Sequence, residues 1–185
     1  MVFNELFRKL NGSLNLRYEG QYELLMFGWT GMFFKSYDLS DARDIETSIT
    51  LTDATVGYMP WAERFYILAG GRYYRMNVDA KIKENDQMTH RERSKGWFDL
   101  FVGARYEAQI SNRVSLLLRG DVGGFGLGSD LSWNTSVITR WSISNFAPEL
   151  GYRVWGVDYN SGSGDSRFEW DVVTQGVSLG MTFFF

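Results

Sequence analysis

The chain has 185 residues and a formal net charge of −3, so its length fits one domain and its charge provides no basic field for nucleic acid. It contains no cysteine, which excludes disulfides and thiolate metal sites. It also lacks the run of about 18 apolar residues that a transmembrane helix needs.

The chain opens with a helical pattern and continues with strands. In NELFRKLN, residues 4–11, Asn4 is a helix cap and Gly12 a stop, so residues 1–11 are predicted to be a loop or short helix before the first strand. Apolar and polar residues then alternate with period two, as in β-strands. We predict one domain, residues 1–185, with nine strands: 12–19, 22–35, 46–58, 65–79, 97–109, 113–125, 131–144, 147–158 and 167–185.

The connections between these strands are of two kinds that alternate along the chain. Four are short: Gly20-Gln21, MPWAER, ISNR and NF. The other four, apart from GLGSD, are long and either charged or rich in Ser and Gly: SYDLSDARDIE, AKIKENDQMTHRERSKG, GLGSD and YNSGSGDS. Alternate connections of an antiparallel sheet lie at the same end, so one end has tight turns and the other longer loops. Bacterial outer-membrane barrels have this asymmetry.

Each strand has an apolar face and a face of small and charged residues. In WFDLFVGARYEA the apolar face comprises Phe98, Leu100, Val102, Ala104 and Tyr106, and the other face comprises Asp99, Gly103, Arg105 and Glu107. Glycine recurs beside arginine on this second face, in GGRY, GARY and GYRV. The alternation fixes the two faces but leaves open which face points inward.

Two architectures can use such strands. A soluble sandwich or lipocalin-like barrel points the apolar face inward, whereas a membrane barrel points it towards lipid. Three features favour the membrane barrel: glycine leaves room for long Arg side chains in a narrow lumen, Trp and Tyr cluster near strand ends, and the chain stops on the apolar strand GVSLGMTFFF. We predict an all-β transmembrane antiparallel up-and-down barrel of eight to ten strands, with the soluble barrel as the alternative.

The C-terminal half resembles a known family. From WFDLFVGARY through LRGDVGGFGLGSDLSW to GVSLGMTFFF, residues 97–185 are similar to a largely uncharacterised family of small outer-membrane β-barrel proteins. The resemblance implies a monomer in the outer membrane of a Gram-negative bacterium, with the lipid bilayer and the outer-membrane assembly machinery as partners. The last strand resembles the signal that this machinery reads, carried by Val177, Leu179, Met181, Phe183 and Phe185.

The strand count departs from this family's pattern. Barrels of this kind have an even number of strands, whereas nine are predicted here, with the N-terminus on the outer side. Family members begin with an additional ascending strand. We therefore expect a fragment of a ten-stranded barrel; the alternative is that one strand has been split and the true count is eight.

Charges on the predicted inner face form the candidate site. In the predicted membrane barrel, Arg105 and Arg119 point into the lumen, and Tyr106 and Leu118 point towards lipid. Because buried charges need partners, we predict an ion-pair network that fills the lumen, composed of Arg72, Asp99, Arg105, Glu107, Arg119, Asp121, Arg140, Glu149 and Arg153. The alternative is slow passage of small solutes, with selectivity set by these charges. Barrels of this size have largely filled interiors, so a wide pore is not expected.

The only histidine, His90, lies in a hydrophilic segment with Asp86 and Ser94. These residue types at the outer rim would suit a lipid-modifying enzyme or a protease, but hydrophilic loops contain them by chance. We interpret His90 as a solvated loop residue and keep the rim enzyme as the alternative. GDVGGFGLGSD lacks the strand-to-helix context of a nucleotide site, and DLSDARD lacks the spacing of a calcium loop. No cofactor or metal is predicted.

Overall fold

The computed structural model of the chain describes residues 10–40, 43–60, 64–84, 87–162 and 168–183. These residues form nine antiparallel strands: β1 (Leu10–Tyr22), β2 (Leu25–Ser40), β3 (Arg43–Tyr58), β4 (Phe65–Glu84), β5 (Gln87–Ser111), β6 (Val114–Gly124), β7 (Leu131–Trp141), β8 (Phe146–Ser161) and β9 (Phe168–Phe183). Each strand is hydrogen-bonded to its neighbour in sequence, so the sheet order is β1 to β9 without a crossover. Among these residues there is no helix long and apolar enough to cross a membrane.

The sheet curls into a half-barrel. Its edge strands, β1 and β9, come into contact. Because successive strands are antiparallel, these two odd-numbered strands run in the same direction. The strong right-handed twist of antiparallel sheets favours such curling, and it gives the sheet an inner and an outer face.

The two faces follow the predicted alternation. On β5, Trp97, Asp99 and Phe101 are buried on the inner face, whereas Phe98 and Leu100 are exposed on the outer face. The same alternation recurs on the other strands: the buried charges lie inside the curl together with apolar residues such as Leu51 and Trp155, and the outer face exposes mostly large apolar residues. Nine strands and their faces were therefore predicted, and the all-β antiparallel fold is confirmed.

Several predicted boundaries are wrong. The predicted loops 36–45 and 80–96 are largely strand, because β2 extends to Ser40, β3 begins at Arg43, and β4 and β5 extend to Glu84 and Gln87. Hydrophilic side chains do not prevent the main chain from pairing in a two-stranded ribbon, which is what the β4–β5 hairpin forms here. The predicted contrast in loop length is therefore wrong: the connections between strands are 2, 6, 2 and 4 residues long at one end and 2, 2, 6 and 6 at the other, and the two ends differ instead in how far the strands extend.

The structure also differs from the predictions around the first strand and its turn. Gly20-Gln21 lies within β1, and the first turn is formed by Glu23 and Leu24, with Glu23 in the left-handed region at φ 51°. Of the helical candidate 4–11, residues 4–9 lie outside the described residues and the last two belong to β1. The period-two alternation of LNGSLNLRY continues further towards the N-terminus than the prediction allowed.

Glycine on the inner face permits close packing between strands at Gly103. A Cβ atom there would stand 2.3 Å from the backbone oxygen of Gly120 and 2.5 Å from Cβ of Asp121. Neither neighbour can move without displacing β6. Gly176 on β9 offers a contrast, because a Cβ there would meet no atom within 4 Å.

We expect Gly103→Ala to lower the free energy of unfolding by about 1–3 kcal/mol through overpacking, and Gly176→Ala to change it by less than about 0.5 kcal/mol. Denaturant unfolding of both variants under identical conditions measures the difference. Equal stability of the two variants would contradict the strand packing described here.

Candidate functional site: interior ion pairs

Inward-facing side chains of several strands form a first group of charges near the tight turns. We call it the turn-side cluster; its members are Arg17, Glu19, Arg105, Glu107, Arg140 and Glu149. Glu19 is its hub, with its carboxylate oxygens 2.6 Å from Arg17, 2.6 Å from Arg105 and 2.9 Å from Arg140. Strand β1 at one edge of the sheet is thereby joined across the interior to β5 and β7.

The other carboxylates of the turn-side cluster complete the pairing. Arg105 lies 3.0 Å from Glu107, and Arg140 lies 2.7 Å from Glu149. The hydroxyl of Thr182 on β9 donates to Glu149 at 2.8 Å. Three arginines therefore face three glutamates, and the charges of the cluster balance.

A second group, the central cluster, lies further from the turns and comprises Asp53, Arg72, Arg119, Asp121, Asn134 and Arg153. The guanidinium of Arg72 bridges the two carboxylates, at 2.8 Å from Asp53 and 2.8 Å from Asp121. Arg119 approaches Asp121 at 2.8 Å and Arg153 approaches Asp53 at 3.4 Å. Arg72 and both carboxylates are almost completely buried, so their charges are compensated by each other instead of by solvent.

An amide and an aromatic ring support the central cluster. Asn134 donates to Asp121 at 2.8 Å and accepts a hydrogen bond from Arg153, which links two members that have no ion pair with each other. The ring of Phe101 lies 4.9 Å from the guanidinium carbon of Arg72 and 5.3 Å from that of Arg119. Both cations thus gain a cation–π contact in a desolvated position.

Asp99 has a different role from the predicted one. It is buried opposite Arg72 in the β4–β5 ladder, but none of the described ion pairs includes it. Its Oδ1 accepts a hydrogen bond from the backbone N–H of Ser129 at 2.7 Å, and the Ser129 hydroxyl accepts one from the indole of Trp97 at 2.8 Å. Asp99 therefore anchors the β6–β7 loop to β5.

The structure brings the other eight predicted residues into these two clusters, and it adds three charged residues that the sequence argument missed. Arg17, Glu19 and Asp53 have direct ion-pair contacts with predicted members. The signal was present, because Leu16, Arg17, Tyr18 and Glu19 alternate apolar and charged residues as β5 does. For Asp53 the alternation of apolar and charged residues is less clear, because the residue before it in TLTDAT is threonine instead of a large apolar residue.

An aromatic group, the aromatic cluster, fills the interior on the loop side and comprises Tyr74, Trp97, Trp155 and Tyr159. The Trp97 ring stacks between Tyr74, at a centroid distance of 4.9 Å, and Tyr159, at 4.3 Å. Leu51 and Val157 pack against it. The turn-side, central and aromatic clusters therefore follow one another through the interior, from the tight turns towards the loop side.

The space left between the two charged clusters is small. A cavity of about 20 Å³, bordered by Arg17, Arg119, Glu149 and Arg153, has room for about one water molecule. The arrangement is therefore suited to closing the lumen and to fixing the relative positions of strands. At about 20 Å³ this cavity is too small for a substrate.

The remaining predicted residues lie elsewhere. His90 lies in β5, where its backbone pairs with that of Lys81 in β4. His90 therefore belongs to a strand instead of the predicted loop. Asp86 lies outside the described residues, and the Ser94 hydroxyl donates to Asn77 at 2.7 Å. In the described stretches of the chain, no group of three or more His, Asp or Glu residues could hold a metal ion.

The proposed assembly residues share one face of β9. Val177, Leu179, Met181 and Phe183 are all exposed there, and Phe185 lies outside the described residues. No protein-family model matches the chain, and no curated protein is significantly similar to it. The argument for function therefore proceeds from the geometry.

We expect Arg72→Met to be more destabilising than Arg119→Met. Removing Arg72 takes the shared cation from Asp53 and Asp121 and should lower the free energy of unfolding by about 3–5 kcal/mol. Without Arg119, Asp121 keeps Arg72 and Asn134 as partners, so a loss of about 1.5 kcal/mol is expected. Denaturant unfolding of both variants under identical conditions provides the comparison; a larger loss for Arg119→Met would refute the bridging role of Arg72.

Proposed function

We propose that the chain is a bacterial outer-membrane β-barrel protein with a structural or interaction role and no enzymatic one. In this proposal the outer face of the strands lies against lipid and the ion-pair clusters fill the lumen. The strand ends and loops at the end of the sheet opposite the tight turns would contact the surroundings of the cell.

The observation that carries the proposal is the apolar character of the exposed face. Every strand exposes large apolar side chains, with one example each in Leu16, Phe27, Val56, Ile67, Phe98, Leu118, Val137, Leu150 and Leu179. Monomeric soluble proteins rarely expose contiguous apolar patches larger than a few hundred Å². A lipid environment removes the exposed apolar side chains of all nine strands from water.

The buried charges support the same orientation. A soluble lipocalin-like barrel would have its apolar residues inside and its charges in water. Here Arg72, Asp53 and Asp121 are buried while Phe98 and Leu118 are exposed. The soluble alternative would require both faces of the sheet to be exchanged.

Aromatic residues at the strand ends support a membrane location. Tyr22, Tyr58 and Trp141 are exposed on the outer face, each at the turn end of its strand. Tyr and Trp are enriched at this level in membrane proteins because their rings are apolar and their N–H and O–H groups reach water. The exposed apolar residues of β9 fit the role of an assembly signal for the outer membrane.

The filled interior favours a structural role over transport. The ion pairs bridge the interior from β1 to β5 and β7 and from β4 to β6. Between them the cavity accommodates about one water molecule. Slow passage of small solutes would require these pairs to separate, so we do not propose a wide or selective pore.

We expect Leu118→Lys to lower the free energy of unfolding in lipid vesicles by about 2–4 kcal/mol, because Leu118 lies in the middle of β6 near the bilayer midplane. Ile143→Lys, at the β7–β8 turn, should cost about 0–1 kcal/mol because lysine reaches the interface there. The unmodified chain should aggregate in buffer without detergent or lipid. A monodisperse β-rich monomer in buffer would overturn the proposal.

We expect deletion of Phe185 to impair assembly in cells far more than stability in detergent. Burial of an aromatic ring contributes about 1.5–3 kcal/mol at most in any position, whereas loss of a recognition residue prevents insertion. The fraction of protein in isolated outer membranes and the unfolding free energy in detergent give the two values. Parallel losses in both assays would remove the recognition role.

A further inference from the structure

At the β6–β7 hairpin, strands β6 and β7 end earlier than their neighbours β5 and β8, which leaves a gap in the side of the curled sheet. The ladder between β5 and β6 starts at Phe101 and Gly123, and the ladder between β7 and β8 ends at Leu131 and Asp158. Beyond these pairs, β5 continues to Gln87 and β8 to Ser161, with no described strand between them. We call this gap the lateral notch; it is lined by Trp97, Phe98, Leu100, Leu127, Tyr159 and Ser161.

Side chains of β5 and β8 meet behind the notch. The rings of Trp97 and Tyr159 stack at 4.3 Å, and Nζ of Lys95 lies 3.4 Å from the Ser161 hydroxyl and 5.8 Å from the Tyr159 ring centroid. These contacts join strands that are separated by two others in the sheet. They close the interior and form the back wall of the notch.

The floor of the notch is fixed in place. It is formed by the β6–β7 loop, where Ser129 is hydrogen-bonded to both Asp99 and Trp97. A Cβ atom at Gly128 would stand 2.2 Å from the backbone oxygen of Phe98, so the loop lies directly on β5. The backbone N–H of Asp130 donates to the backbone oxygen of Asp158 and ties the loop to β8 as well. The notch is thus preformed, as small-molecule sites usually are.

The shape and chemistry of the notch fit one class of ligand. Its volume is about 610 Å³, within the range of small-molecule sites of about 300–1,000 Å³. Phe98, Leu100 and Leu127 make its mouth apolar and continuous with the outer face. Its polar lining includes Asn160 and Ser161, and the Lys95 ammonium, which does not itself line the cavity, lies 3.4 Å from the Ser161 hydroxyl.

We propose that the lateral notch binds a long-chain carboxylate of the fatty-acid class, with the alkyl chain against Phe98, Leu100 and Leu127 and the carboxylate paired with Lys95. A single-chain ligand suits a cavity of about 610 Å³ with one adjacent cation better than a two-chain lipid does. The proposal rests on the proposed membrane location, because that location brings the apolar mouth of the notch into contact with acyl chains.

The test is a titration of the full chain, folded in an uncharged maltoside detergent, with dansylundecanoic acid and with its methyl ester. Dansyl emission reports binding. Lys95→Gln should weaken binding of the acid about tenfold and leave binding of the ester unchanged, because only the acid carries the charge that Lys95 pairs with. Arg75→Gln, which removes an exposed charge on the opposite face of the neighbouring strand, is the matched control and should change neither.

A second pair of variants tests where the alkyl chain lies. Leu100 and Leu150 are exposed to a similar extent on the outer face, at 47% and 45%, but only Leu100 borders the notch. Leu100→Ser should weaken binding of both probes, whereas Leu150→Ser should not. Equal binding by all variants would place the probe on the general apolar surface and overturn the site.

The outcomes separate this proposal from the membrane proposal. A chain that inserts into lipid vesicles but shows no saturable binding of the acid lacks the notch site and remains a membrane protein. A chain that stays soluble and monomeric without lipid contradicts the membrane location, whatever the titration shows. Loss of ester binding in Lys95→Gln would show that Lys95 maintains the shape of the notch instead of pairing with the carboxylate, and would overturn its assigned role.

Discussion

The bridging of Asp53 and Asp121 by Arg72 is the interaction on which the interior depends. Three ionised groups are almost completely removed from solvent there, a position that is tolerated only when each charge has a close partner. The partners come from β3, β4 and β6, so the sheet must curl to bring them together. Glu19 acts similarly from the edge strand β1, since its contacts reach β5 and β7. The curl and the charge pairing are therefore mutually dependent.

The strands and their faces could be predicted because a period-two alternation is a local property. On β5, the sequence from Trp97 to Glu107 already separates the residues that the structure buries from those it exposes. The hairpin of β4 and β5 beyond Met76 and Lys95 could not be predicted in this way, because its charged residues resemble a loop. There the main-chain ladder between neighbouring strands decides the structure, and a ladder leaves little trace in side-chain hydrophobicity.

The members of the candidate site could be predicted better than their pairing. Alternation indicates that Arg105, Arg140 and Asp121 face inward, but it does not give their height in the barrel or the stagger between strands. These determine that Arg105 meets Glu19, 86 residues away, and that Asp99 meets the backbone of Ser129 instead of Arg72. Such contacts depend on the curvature of the whole sheet, which a single strand does not encode.

The interior is closed by different forces on its two sides. Separating a buried ion pair leaves charges without partners, at a cost of about 3–5 kcal/mol. Separating a stacked aromatic pair loses about 0.5–1.5 kcal/mol beyond its buried area. The turn side of the interior is closed by the contacts of Glu19, whereas the interior behind the lateral notch is closed by the stacking of Trp97 on Tyr159. The two closures therefore differ in kind: charge pairing holds the turn side, and apolar packing holds the interior behind the notch, where an alkyl chain in the notch would lie against the same rings.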